Sequence, residues 1–428
     1  MEEIVDQKTF KNYLFFWSGQ LFSLFGSTIV FFVIIVWLTL ETGNPMFMAL
    51  ASFLYILPMT VCLPIAGVIA DRFNRKTVIL VVDSSQAFVT FLLIILFQLG
   101  LINVWNMLIF IGIRSIFQAF HMPTVNAIIP SMVPQDKLSR INGINFLFSS
   151  IIQLFAQFVA ATLLVFFTVN QILWADVITF FIAVIPLVLI SIPSVKHLNK
   201  KSESTEKSSF VQDFRLGIKT LRLIPGLTAL IIISVLANFL IRPLDTLLSL
   251  YILDTHGGTP LIYAITGIFF QGGMVVGALV TSFKKEWSNK IRLIFLGIVI
   301  AGIGYVIFSI APIGAFSIIC LGGAIMGVTL PIINALYQTF MQTVVPKDKI
   351  GRVSSIDQTL SMSLSPVGTI LSGALAVLLG ISNILLYSAL LMIIVTILTW
   401  SFSGVRRINY EDQGLIEEIS SNIKNLNS

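Results

Sequence analysis

VPQDKLSRIN (133–142) and VPKDKIGRVS (345–354) are one phrase written twice, 212 positions apart in a chain of 428 residues. Val, Pro, Asp, Lys and Arg are identical between them, and the Leu/Ile and Ile/Val exchanges keep apolar character. Just upstream, PTVNA (123–127) is echoed by PIINA (331–335) at an offset of 208. The four-residue change in offset is about one helical turn. A spacing close to half the length predicts a duplicated architecture whose halves have diverged within a shared framework.

What lies between the copies decides the kind of architecture. The chain is 56% hydrophobic and 11% charged, with a mean hydropathy of +0.96. Soluble domains carry roughly a quarter of their residues charged, so lipid is the expected solvent here. About 20 consecutive apolar residues cross a bilayer as helix. Runs of that kind occupy 13–40, 47–70, 77–101, 106–129, 143–168 and 172–193, then 226–254, 262–283, 293–310, 315–341, 353–378 and 383–403. The expected fold is therefore an all-α polytopic membrane protein of twelve transmembrane helices. Connections as short as 169–171 and 379–382 make successive helices antiparallel neighbours.

Basic residues set the orientation, because Lys and Arg gather in cytoplasmic loops. With both termini in the cytoplasm, 24 of the 26 Lys and Arg residues fall in cytoplasmic loops and tails. Arg114 and Arg242 fall within helices, and none falls outside. The net charge of +6 and pI near 9.3 then report membrane topology and not a nucleic-acid partner. The acidic start (Glu2, Glu3, Asp6) and the long first run argue against a cleaved signal. Cys62 and Cys320 lie in separate apolar runs and read as buried thiols without a disulfide or metal role.

Four regions follow: a six-helix bundle over 1–195, a linker over 196–225, a second bundle over 226–404 and a tail over 405–428. KHLNKKSESTEKSS (196–209) is polar and low in complexity, as solvated linkers are. FVQDFRLGIKTLRLI (210–224) puts Phe210, Phe214 and Ile218 on one face and Arg215, Lys219 and Arg222 on the other, the pattern of a short helix on the membrane surface. Both copies of the repeated phrase precede the fifth helix of their half, and six helices separate them. An even number puts both on the cytoplasmic face, so the halves are parallel repeats about an axis along the membrane normal.

GVIADRFNRK (67–76) connects the second and third segments, and its pattern Gly67-xxx-Asp71-Arg72-xx-Arg75-Lys76 resembles the signature loop of the major facilitator superfamily. RSIFQAFHMP (114–123) resembles that superfamily's arginine motif of the fourth helix. Together with VPQDKLSR, GRVSSI (351–356), WSGQ (17–20) and LxxxTGNP over 38–45, the chain is similar to the bacterial macrolide-efflux group. The resemblance spans nearly the whole chain. It implies a monomer of the bacterial plasma membrane whose halves rock about a central cavity. It also implies export of amphipathic compounds, macrolide-like drugs among them, in exchange for protons, with no cofactor beyond the proton gradient.

The loop also has a direct physical reading. Gly67 would let the second helix approach a neighbour closely. Asp71 is placed to accept hydrogen bonds at the N-terminus of the eleventh helix, near Gly351 to Ser355, where the helix dipole favours an anion. Arg75 is within reach of Asp136 or Asp357, and Asn74 suits a left-handed turn. Arg72, Lys76, Arg140 and Arg352 complete a cytoplasmic gate motif, or the loop is only a positive-inside anchor. The matching stretch GALVTSFKKEWSNK (277–290) keeps Gly277 and basic residues but lacks the Asp-Arg pair.

Ionisable residues inside the helices carry the remaining chemistry. Charges at the bilayer centre cost about 2.5–3.5 kcal/mol on insertion scales, so Arg114 needs a cavity or a partner. Arg242 and Asp245 share a helix face around Pro243. Asp245 is either a proton carrier or the static partner of Arg242 in bracing a kinked helix. Positions 30 and 33, the counterparts 212 residues earlier, are both Val, so this pair belongs to one half. Asp83 is a candidate gate residue with the basic loop. Asp176 and Asp357 lie early in their helices, where the dipole steadies a carboxylate. His121 titrates near neutrality and is either hydrogen-bonded structure or part of coupling. Glu41 ends the first helix and is a coupling candidate or merely solvated. Gln20, Gln118, Asn145, Gln153 and Gln157 are neutral candidates for a substrate cavity.

No GxxxxGK[ST] phosphate loop occurs, which argues against ATP hydrolysis. No nucleophile–base set or metal-ligand cluster suggests an enzyme. An ion gradient suffices: one proton entering at −150 mV yields about 3.5 kcal/mol, and a hundredfold gradient of neutral substrate costs about 2.7 kcal/mol. Export of an endogenous product, such as a siderophore or lipid-like metabolite, fits the same features. A non-transporting membrane sensor is a third reading, disfavoured by the lack of a large soluble domain.

Overall fold

The computed structural model describes residues 7–192, 224–284, 287–345, 350–403 and 405–407. Among these there is no strand. The helices are α1 (Gln7–Thr42), α2 (Pro45–Arg72), α3 (Arg75–Gln98), α4 (Val104–Met132), α5 (Leu138–Phe166), α6 (Val169–Leu189), α7 (Leu227–Leu250), α8 (Pro260–Phe283), α9 (Lys290–Ser309), α10 (Phe316–Val344), α11 (Ile350–Ser363), α12 (Ser365–Leu379) and α13 (Ile381–Phe402). With α11 and α12 joined into one span, twelve are long and apolar enough to cross a membrane. Residues 196–223 of the expected linker and surface helix, and nearly all of the tail after 404, fall outside the described residues.

Short loops work because side chains cap the helices they introduce. Asn44 accepts from Met46 N at 2.9 Å beside Pro45, and Asn103 accepts from Asn106 N at 2.9 Å. Each occupies one of the donors that a helix start leaves unpaired. Asn74 does the same for α3, accepting from Lys76 N at 3.0 Å. Its backbone is extended (φ −64°, ψ 113°), not the left-handed turn expected from its residue type. The left-handed asparagine is in the other half: Asn289 (φ 51°) precedes α9 at the end of the matching loop.

Two helices depart from a single uninterrupted run. The eleventh segment breaks at Leu364, between α11 and α12. Pro366 lacks a donor and its ring conflicts with the carbonyl four residues back; the chain restarts with Gly368 N donating to Leu364 O at 2.9 Å. The seventh segment ends in a π-helical turn, Tyr251–Thr255. Tyr251 is buried there and donates to Phe308 O at 2.8 Å.

The helices form two compact units, one built on α1–α6 and including residues 258–264, the other on α7, the rest of α8 and α9–α13. In the first unit α1 packs along α6, α5 and α4, while α3 packs on α4 and α6. Gly19 and Gly26 bring α1 so near α6 that a Cβ would press on Ala183 and Pro186 at one position and on Thr179 at the other. In the second unit α9 packs along α10 and α13, and α11–α13 pack on α7. Gly273 and Gly277, one turn apart on α8, meet the backbone of α10 at Ala324, Gly327 and Val328. Small residues at this spacing permit backbone contact in lipid. Gly67, the residue singled out for close approach, has open space where its Cβ would stand.

The repeated phrase lies where the duplication places it. Val133 and Ile141 are buried in a cluster with Tyr13, Phe16, Ile79, Met132 and Leu187. A 3-10 turn over Gln135–Lys137 leads into α5. The second copy leads into α11, with 346–349 outside the described residues.

Candidate functional site

The first unit buries its charges at a junction of α1, α3, α4 and α6. Arg114, ten residues into α4 and so about 15 Å along it at 1.5 Å per residue, reaches Asp176 of α6 with Nη1–Oδ2 2.6 Å. Thr90 of α3 donates to the same oxygen at 2.6 Å, and Ser27 of α1 donates to the other at 2.8 Å. Arg114 also hydrogen-bonds the Thr90 hydroxyl. Asp176 is buried at the eighth position of α6, beyond the first turn where the dipole acts. Its role is therefore to pair with Arg114, and not the helix-end role its position suggested.

A second cluster adjoins this one. Asp83 of α3, also buried, lies 3.3 Å from His121 Nε2 of α4 through Oδ1. The same nitrogen lies 2.9 Å from Gln20 Oε1 of α1. Gln20 Nε2 and His121 Nδ1 are both buried and complete no hydrogen bond. The partner described for Asp83 is thus a histidine inside the bundle, where a basic cytoplasmic loop was expected. Gln20 faces this pair and is removed from the set of free cavity amides.

The second unit holds its pair on one helix, as the sequence spacing predicts. Arg242 Nη1 and Asp245 Oδ2 are 3.1 Å apart around Pro243, with the Asp245 side chain 54% exposed and that of Arg242 18% exposed. Gly368 of α12 keeps the approach clear, since a Cβ there would lie 3.2 Å from Arg242 Cγ. Asp357 of α11 accepts from Tyr337 of α10 at 2.7 Å.

The cytoplasmic motif divides. Arg75 is buried, and its Nη1 donates to Ala127 O of α4 at 2.8 Å and its Nε to Ala70 O at 3.4 Å. Lys76 donates to Val188 O and Ile190 O, both at 2.7 Å, so it caps the C-terminus of α6, where a cation is favoured. Arg72, Asp136 and Arg140 are exposed. The side chains of Asp71 and Arg352 lie outside the description. Asn145 bonds the Tyr13 hydroxyl, with Nδ2–Oη 3.0 Å. Gln118 and Gln157 are half-buried, whereas Gln153 and Glu41 are exposed. Cys62 and Cys320 are unpaired, and no three metal-ligating side chains gather among the described residues.

Sequence reasoning missed the hydroxyls of Ser27 and Thr90, the Tyr337 partner and a cluster at the end of α7. There, buried His256 accepts from Gly314 N at 3.3 Å and its ring centroid lies 4.4 Å from that of Tyr251. Burial pushes its imidazole below the usual range. The cost of an isolated charge called for a cavity or a partner at Arg114, and the structure supplies the partner, Asp176.

A model described as Major Facilitator Superfamily matches residues 16–369. The chain belongs to that superfamily. This facilitator is 32% identical over 394 residues to macrolide efflux protein A of Streptococcus pyogenes, covering 92% of this chain and 96% of the relative. It is 31% identical over 327 residues to the protein of the same name from Enterococcus faecalis, covering 76% and 99%. Its fold is similar to that of the nucleoside transporter NupG, with a TM-score of 0.70 at 14% identity over 92% of this chain and 99% of that one.

Proposed function

We propose that this facilitator exports amphipathic small molecules, macrolide-like compounds among them, by alternating access in exchange for protons. The observation that carries the reading is the Arg242–Asp245 pair at 3.1 Å within a membrane helix, with a carboxylate left half-exposed. A charge in that place is costly and, where it occurs, marks a pathway for substrate or ions, and an accessible acid beside a fixed cation can gain and lose a proton as its surroundings open and dry. The substrate class is supported by the efflux protein that shares 32% identity over 92% of the chain. The two bundles would move about the bound substrate as one copy of the chain, with both termini in the bacterial cytoplasm.

Uptake of a radiolabelled macrolide into inside-out vesicles, with and without an imposed pH gradient, tests the reading. Accumulation should depend on the gradient in the wild type and fall at least tenfold in Asp245→Asn and Arg242→Ala. Unchanged proton-driven uptake in both variants would sink the assignment to this pair. A ligand panel in the same vesicles would show whether an endogenous metabolite is preferred to a macrolide.

A further inference from the structure

We infer that the break in the eleventh span lines a water-filled opening and is a subsite for the hydroxyl-bearing, hydrogen-bond-donating part of the transported compound. Its groups are the Gln358 amide, the Met362 carbonyl and the Ser363 hydroxyl. The substrate rests on the export reading above, whereas the opening stands on backbone and exposure alone.

The span Ile356–Leu379 is interrupted at Leu364, eight residues and so about 12 Å inside it. Pro366 has no N–H, so the Met362 carbonyl four residues back is left without its helical donor. Met362 is 50% exposed, and Ser363 and Leu364 are exposed with it. Hydrocarbon offers such a carbonyl nothing. Irregular backbone at membrane depth survives only where protein buries it or it lines a water-filled cavity. Protein does not bury this break, so water reaches it. The packed side does not close it either: Ser361 meets Ser234 of α7 at 3.2 Å, but Ser365 Oγ is buried and completes no hydrogen bond.

Side chains carry the same polarity toward the end that bears the repeated phrase. Gln358, Thr359, Met362 and Ser363, at i, i+1, i+4 and i+5, share one exposed face of α11. Beyond the break every exposed residue of α12 is apolar, Val367, Leu371 and Leu375 among them. The fifth helix of the first unit, introduced by the other copy of the phrase, exposes Phe146, Phe148 and Phe155 instead. The polar face is thus particular to α11 and not a remnant of the duplication. Its chemistry is mainly that of an acceptor. Ser363 Oγ gives its proton to Leu360 O at 2.7 Å and keeps its lone pairs, and the Met362 carbonyl only accepts. Gln358 adds an amide oxygen and two N–H donors. A ligand that presents hydroxyls meets all three, and a few such polar contacts in a largely apolar cavity fix a ligand's orientation.

Thiol labelling of the full chain in open membrane fragments, where both faces are reachable, tests the opening. In a background of Cys62→Ser and Cys320→Ala, Gln358→Cys and Ser363→Cys should react with a membrane-impermeant maleimide at least tenfold faster than Val367→Cys and Leu371→Cys, because a thiol in apolar surroundings resists ionisation. Equal rates for the two pairs overturn the inference. If Ser363→Cys gives no monodisperse peak on size exclusion, Gln358→Cys decides alone. The macrolide used for uptake should slow labelling of Gln358→Cys at least threefold, and Gln358→Leu should raise the KM for its uptake at least threefold with kcat kept. A macrolide that the wild type accumulates, but that neither slows the labelling nor shows a shifted KM, overturns the subsite. A wild type that accumulates no macrolide counts against the export reading instead, and the labelling rates still decide the opening.

Discussion

At the residue scale, the Arg114–Asp176 and Arg242–Asp245 pairs should respond differently to neutralisation. Arg114 and Asp176 are buried and mutually dependent, so Asp176→Asn leaves a buried guanidinium without its counter-charge. Removing one partner of such a pair costs about 3–5 kcal/mol. The expected result is a sharp fall in thermal stability of the purified protein, partly recovered in Asp176→Asn/Arg114→Gln. Asp245 is half-exposed whereas Asp176 is buried, so Asp245→Asn should lose transport with a smaller change in melting temperature than Asp176→Asn. Equal destabilisation by both substitutions would contradict this division. His256 gives a pH dependence with a definite sign. Its folded pKa is lowered by burial, so the unfolded chain binds the proton first. Stability from the neutral ring is complete above about 6.5, the unfolded value, and is lost as pH falls through the lower folded value. Acid should therefore loosen the α7 end and its contact with Gly314. His256→Gln should flatten the fall in melting temperature between about pH 7 and 5.

At the element scale, glycine shows what a sequence tells and what it withholds. The signature loop draws attention to Gly67, yet a Cβ there meets nothing, whereas one on Gly277 would run into the Val328 backbone and one on Gly327 into that of Phe270. Backbone cannot step aside as a side-chain tip can. Gly277→Val should therefore abolish folding or cost more than about 4 kcal/mol, the range reserved for severe core strain. Gly67→Ala should be neutral or stabilise by up to about 1 kcal/mol through the unfolded chain. Fluorescence-detected size exclusion on heated membranes compares the two, and similar melting curves would refute the packing argument. Helix positions were legible because run length is a local fact. The break before Pro366 was legible in principle, since proline acts on its own chain. Which glycine touches a neighbour was not, because that depends on how α8 lies on α10. The same limit hid the partner of Arg114: its need for a cavity or a partner is written in the hydropathy, while the pairing with Asp176 is made by the packing of α1, α3, α4 and α6.

At the scale of the whole molecule, the apolar run lengths outlined the twelve-helix architecture before any coordinates, because lipid punishes errors that water forgives. A span must be about 20 residues long, and 24 of 26 Lys and Arg must share one side for the positive-inside rule to hold. Those constraints are global and survive divergence of the halves, whereas Asp83, His121 and Arg242–Asp245 are each confined to one unit and leave no trace in the repeat. The orientation carries a test of its own. With both termini in the cytoplasm, the turn after α3 faces outward and the turn before it faces inward. Leu101 and Phe73 are exposed in those two turns. In a background of Cys62→Ser and Cys320→Ala, Leu101→Cys should react with a membrane-impermeant maleimide in intact cells, and Phe73→Cys should react only after permeabilisation. The reverse labelling would place the basic loops outside and would overturn the proposed direction of transport along with the orientation.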